Sequence, residues 1–169
     1  LAVVIPVHSG AEFVGRSPGL GDDLDFVLTD EHTLQSKAAP NIFAIGDAAS
    51  LPISKAGSVT HFEGEVLVEN IQRCLRGEER DGSYDGHANC FLETGFHKAM
   101  LIDFNYDTEP VDGHYPTVVG APLLKESHLN HLGKLMFQWF YWHSLLPGRD
   151  IPGITPDMPT LGKHLPNAS

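Results

Sequence analysis

Pro40-Asn41-Ile42-Phe43-Ala44-Ile45-Gly46-Asp47-Ala48-Ala49 is a short apolar run that stops abruptly at Gly-Asp. Its length, its branched and aromatic residues and the glycine that ends it predict a buried strand over residues 41–45. Gly46 lets the backbone approach a neighbour closely, and Asp47 offers an acceptor for sugar-type hydroxyls at the carboxyl end of a sheet. The same pair also makes an ordinary strand-to-loop turn, and composition alone leaves both readings open.

On the C-terminal side, a loop with Pro52, Lys55 and Gly57 precedes a helical pattern from Ser58 to Arg76. Val59, Phe62, Val66, Leu67, Ile71, Cys74 and Leu75 recur there at helical spacing; Ser58 is placed to cap the start and Gly77 to end it. On the N-terminal side, Leu1 to Val7 predicts a buried strand, residues 10–25 an irregular connection, Phe26-Val27-Leu28 a short strand and Asp30 to Thr33 a turn. Beyond the helix, Glu78 to Gly86 reads as a charged linker. Ala88 to Glu93 and His97 to Tyr106 read as a hairpin joined through Thr94-Gly95, Lys125 to Leu146 as a second helix, and Pro147 to Ser169, with five prolines, as an extended tail. The order predicts an α/β protein, α+β if taken as an isolated fragment.

The 169 residues carry 11 Lys and Arg against 22 Asp and Glu, a formal charge of −11, which argues against nucleic acid as a partner. At 41% hydrophobic and 20% charged, the chain is not globally disordered, and its length suffices for a real core. No apolar run reaches the roughly 18 residues of a membrane span, and no basic segment precedes the first apolar residues. A start inside a strand-like run, without Met, is expected of a piece of a longer product. Two cysteines, Cys74 and Cys90, do not make a disulfide scaffold. Among the ten histidines, His128-x-x-His131 has a spacing used by metal sites, but no accompanying cysteine or carboxylate motif supports one, so no metal is expected.

Through the Gly46-Asp47 motif, Ser54-Lys55-Ala56-Gly57-Ser58 and the helix to Leu75, the chain resembles the two-dinucleotide-binding-domain flavoproteins of the pyridine nucleotide-disulfide oxidoreductase superfamily. The resemblance implies that Asp47 holds a ribityl hydroxyl of FAD and that the helix beginning at Gly57-Ser58 aims its N-terminus at the flavin pyrimidine edge. A helix start carries free N–H groups and roughly half a positive charge, which suits the anion a reduced flavin becomes. Lys55 would add a full charge beside it, unless it is a solvated loop lysine. Gly46, Asp47, Lys55, Gly57 and Ser58 are the expected cofactor residues.

Asn89-Cys90-Phe91-Leu92-Glu93-Thr94-Gly95, with Tyr84-Asp85-Gly86 before it, narrows the resemblance to the C-terminal half of sulfide:quinone oxidoreductases and their flavocytochrome c sulfide dehydrogenase relatives. In that family a cysteine at the position of Cys90 is redox-active and pairs with an upstream cysteine. A thiolate there can take up the sulfur of sulfide and pass an electron pair to the flavin. Residue type alone would make Cys90 a buried hydrophobe, as helical spacing makes Cys74 a core residue. The chain holds neither the upstream cysteine nor a Gly-x-Gly-x-x-Gly, since Gly19-Leu20-Gly21 continues into Asp22-Asp23-Leu24. FAD is therefore expected to be held mostly elsewhere, and this piece alone to be inactive.

Leu129 to Leu146 is apolar nearly all round in its second half. Periodicity supports a core helix as readily as an interfacial one, for which Trp and Tyr, with apolar bodies and polar tips, are suited. The resemblance implies the second: a monotopic association with the cell membrane, with Phe137 and Phe140 foremost, and Trp139, Tyr141 and Trp142, forming the quinone and membrane region. The segments then divide as 1–40, the end of a second nucleotide-binding domain; 41–77, a return to the FAD domain; 84–149, the interface and membrane region; and 150–169, the tail. Sulfide and quinone are the implied substrates, and homo-oligomerisation is left open. The rival readings are a type II NADH:quinone dehydrogenase, a flavocytochrome c subunit and a non-catalytic interaction module.

Overall fold

A computed structural model describes residues 1–149 and 154–165. The elements are a short helix α1 (Glu12–Gly15), β1 (Val27–Leu28), a 3₁₀ turn (Gly46–Ala48), β2 (Ala49–Ser50), α2 (Gly57–Arg76), β3 (Ala88–Gly95), β4 (Lys98–Phe104), β5 (Gly113–Tyr115), β6 (Ala121–Leu123), α3 (His128–Phe140) and a π-helical turn (Tyr141–Leu145). The chain is a mixed α/β fragment with two small sheets: β1 and β2 pair in parallel, and the second sheet runs β3-β4-β6-β5, with β4 and β6 parallel.

Two of the expected strands are absent among the described residues. Leu1 to Val7 forms no strand, and its apolar residues are exposed, since no neighbour offers ladder hydrogen bonds to it. Residues 41–45 are extended but make only an isolated bridge, Gln35 to Phe43, together with Ser36 N–H to Ile42 O and Ala44 N–H to Leu34 O. The paired strand starts after Gly-Asp, at Ala49, opposite Val27.

Helix α2 ends as expected at Gly77, which takes the left-handed conformation with φ 71°. Its start differs: Ala56 is the cap residue, no side chain caps the helix, and Ser58 Oγ instead donates to Asn89 O at 2.5 Å. Val59, Phe62 and Val66 face a core completed by Leu34, Tyr84 and Ala88, each large side chain stabilising the fold by about 1.5–3 kcal/mol. The last turns pass beyond that core. Leu75 is 83% exposed and Cys74 only half-buried, with Sγ 3.3 Å from the Arg80 guanidinium, so Cys74 is not the core residue its spacing predicted.

The linker of residues 78–86 is irregular but firmly held. Asn70, wholly buried in α2, donates to Thr33 O and Gly82 O and accepts from Gly82 N–H, and the buried Tyr84 hydroxyl donates to His87 O at 2.7 Å. The expected hairpin forms, but its turn falls at Phe96-His97 and not at Thr94-Gly95, because β3 runs on through Gly95, which pairs with Lys98. Helix α3 is capped by Ser127, whose oxygen accepts from Asn130 N–H, and lies against the sheet where Gly133 meets the Phe91 ring. A Cβ at residue 133 would sit 3.3 Å from that ring. In the tail, residues 154–165 lack regular helix or strand but dock on the sheet, and residues 150–153 and 166–169 lie outside the described residues.

Candidate active site

An open cavity of about 850 Å³ lies between the start of α2, strand β3 and helix α3. Ala56, Gly57 and Ser58 line one side, Asn89 and Cys90 the floor, and Phe137, Phe140 and Tyr141 the far wall. The cavity thus gathers predicted site residues from three segments far apart in sequence.

The uncapped start of α2 opens on this space. Among the described residues no side chain takes the first N–H groups, and nothing lies within 4 Å of where a Gly57 Cβ would be. Free N–H groups and the helix dipole there favour an electron-rich edge or an anion. Ser58 is spent on Asn89 O, tying the helix start to the strand that carries Cys90. Cys90 is a free, half-buried thiol whose Sγ is 3.8 Å from Phe91 O.

Gly46 and Asp47 lie in the 3₁₀ turn beside the helix. Gly46 has φ +59°, and a Cβ there would stand 2.8 Å from Thr60 Oγ1. Its glycine is therefore required by the packing of the turn on α2. Asp47 is exposed. Glu63, only 1% exposed, accepts from Gly46 N–H at 2.7 Å. Burial pushes the Glu63 carboxyl above the usual range, opposed by the Gly46 N–H and the charge of Lys55. Lys55 Nζ donates to Ala49 O at 2.6 Å and lies 4.5 Å over the Phe26 ring.

Helix α3 has two apolar faces. Phe137 and Phe140 are half-buried against the cavity, which Met136 also lines, while Trp139 and Trp142 are each 57% exposed and share the outer face with Leu132 and Leu135. Trp139 stacks on His143, whose Nδ1 lies 2.8 Å from Trp139 O. Among the described residues no helix is long and apolar enough to cross a membrane.

Sequence reasoning missed a buried polar cluster behind the cavity. Asp103 Oδ1 lies 2.8 Å from His87 Nε2 and 2.9 Å from Asn89 Nδ2, and Oδ2 pairs with Lys163 Nζ from the tail. His87 stacks on Phe62 at 4.3 Å between ring centres, and its Nδ1 lies 3.1 Å from Thr155 O. Only the alternation of β4, with Asp103 on its inward face, could have signalled it. His131 pairs with Glu93 at the surface, and among the described residues no three His, Cys, Asp or Glu side chains are grouped to hold a metal ion.

Fold and cavity together define a mixed α/β chain that places one thiol between an open helix start and an aromatic wall. The chain is similar in sequence to sulfide:quinone oxidoreductases. It is 33% identical over 141 residues to the mitochondrial sulfide:quinone oxidoreductase of Schizosaccharomyces pombe, covering 82% of this chain and 30% of that protein. It is 31% identical to the enzymes of that name from Mus musculus and Dictyostelium discoideum, over 86% of this chain and 31% of each. The chain thus spans about a third of the length of the curated relatives it matches. No family model matches it. A chain in the cryo-EM structure of the Tetrahymena thermophila mitochondrial ATP synthase F1Fo composite tetramer superposes with a TM-score of 0.58 at 28% identity, over 79% of this chain and 29% of that one.

Proposed function

We propose that this chain is the C-terminal part of a flavoprotein that oxidises sulfide at a cysteine pair including Cys90 and passes the electrons through FAD to quinone. The observation that carries the reading is the cavity in which Cys90, the open start of α2 and the Phe137-Phe140 wall meet. When bound, FAD would accept two electrons from sulfur and give them to quinone. The residues present fit one part of it. The exposed Asp47 suits a ribityl hydroxyl, and the free N–H groups at Gly57 and Ser58 suit the electron-rich pyrimidine edge, with Gly46 shaping the turn and Lys55 beside it.

In this reading Cys90 offers the thiolate, and its partner cysteine comes from outside this chain. Phe137 and Phe140 exclude water on the quinone side, while Trp139, Tyr141 and Trp142 rest in a membrane surface. The relatives' names place those proteins in mitochondria, and a mitochondrial membrane is the one proposed, in place of the cell membrane that the resemblance implied.

The test is sulfide-dependent reduction of a short-chain quinone by the full-length protein. Cys90→Ser is expected to lower the rate at least about a hundredfold, as loss of a nucleophile does. Retained sulfide activity, or NADH-dependent activity that the variant leaves untouched, would sink the reading. One observation favours a second reading, a non-catalytic subunit: the similar solved chain belongs to the structure of an ATP synthase assembly. That reading expects no quinone reduction with either donor.

A further inference from the structure

The turn from Gly46 to Ala49 is gripped at both ends, by a buried carboxyl at its start and by an ammonium at its end. At its start Glu63 Oε2 accepts the Gly46 N–H at 2.7 Å; at its end Lys55 Nζ donates to Ala49 O at 2.6 Å. The bond from the Lys55 ammonium is charge-assisted, roughly twice as strong as a neutral one, and the buried Glu63 oxygen gives the Gly46 N–H the acceptor it would otherwise lack. Thr60, one helical turn before Glu63 on α2, fills the space beneath Gly46, and the Phe26 ring lies under the Lys55 ammonium. Neither side chain lines the cavity: Glu63 is buried, and the cavity wall takes in Ala56 and Gly57 but not Lys55. Asp47, between the two grips, is the exposed carboxylate of the turn.

We propose that Lys55 and Glu63 are positioning residues that clamp the Gly46–Ala49 turn and thereby present Asp47, with Lys55 acting on the backbone of the turn and not on the flavin. The proposal rests on the flavin reading for its consequence but not for its geometry. An ammonium beside the flavin would stabilise the reduced, anionic form and raise the midpoint potential. One that only shapes the turn would change how tightly FAD is held and leave the potential alone.

The experiment compares wild-type full-length protein with Lys55→Met, Glu63→Leu and Glu63→Gln. FAD affinity is measured by adding FAD to stripped protein, and the midpoint potential by dye-coupled titration. Lys55→Met and Glu63→Leu are expected to weaken FAD binding by about tenfold, whereas Glu63→Gln, which keeps the acceptor, stays within about twofold of wild type. The potential of Lys55→Met is expected to match wild type; a lowered potential would overturn the assignment of Lys55. Hydrogen exchange at residues 45–49 reads the clamp without flavin: it should quicken in Lys55→Met and Glu63→Leu and be restored in Glu63→Gln. Unchanged exchange in the first two variants would overturn the clamp. A wild-type protein that binds no FAD would refute the flavin reading alone, with exchange still deciding the clamp.

Discussion

Gly46 and Cys90 show how much one position can carry. At Gly46 the demand comes from the helix side: φ is +59°, and Thr60 Oγ1 lies 2.8 Å from the place a Cβ would take. Gly46→Ala should destabilise the turn by about 1–2 kcal/mol from the left-handed backbone alone, with a further penalty from Thr60. Adding Thr60→Ala should recover the contact part and leave the backbone part, and hydrogen exchange at residues 45–49 would measure both. Equal losses in single and double variants would show that Thr60 simply turns aside. Cys90 differs from Cys74 in surroundings, not in type. The first lines a cavity beside an open helix start; the second lies in the last turns of a helix that has outrun its core.

Elements were legible where their own periodicity decided them. Helix α2, the β3-β4 hairpin and α3 follow from apolar spacing and from Gly77, because each buries one face against a neighbour within the chain. Leu1 to Val7 has the composition of a strand, yet pairing is a property of two segments, and no partner lies among the described residues. Capping differs because the helix starts earlier than Ser58: Ala56 is the cap residue, so Ser58 falls inside the first turn and its hydroxyl goes to the carbonyl of Asn89, 31 positions on. For α3, spacing could not divide the aromatic residues, and the structure does so by face. Phe137 and Phe140 turn inward; Trp139 and Trp142 turn out. If the outer face meets lipid, Trp139→Ser with Trp142→Ser should abolish flotation of the full-length protein with vesicles while leaving thermal stability within about 0.5 kcal/mol, since the rings bury little against the fold. Flotation equal to wild type would rule out this face as the membrane contact.

Across the molecule, the tail is what sequence patterning could least describe. Proline-rich and aperiodic, it reads as a free extension, yet Met158 is buried, His114 N–H donates to Gly162 O, and Lys163 reaches into the sheet to pair with Asp103. The same carboxylate holds His87 and Asn89, and the strand carrying Asn89 also carries Cys90 and takes the Ser58 hydroxyl. The tail, the hairpin and the start of α2 therefore meet at one buried charge. A buried ion pair adds little net stability, because desolvation offsets its attraction, but removing one partner strands the other. Lys163→Met should thus cost about 3–5 kcal/mol, seen as lost exchange protection across β3 and β4 in the full-length protein. Pairing it with Asp103→Asn removes both charges and keeps an oxygen for Asn89, so most of the protection should return. If Lys163→Met alone leaves β3 and β4 as protected as before, the tail is only laid on the sheet, and the wall behind Cys90 is held by the hairpin itself.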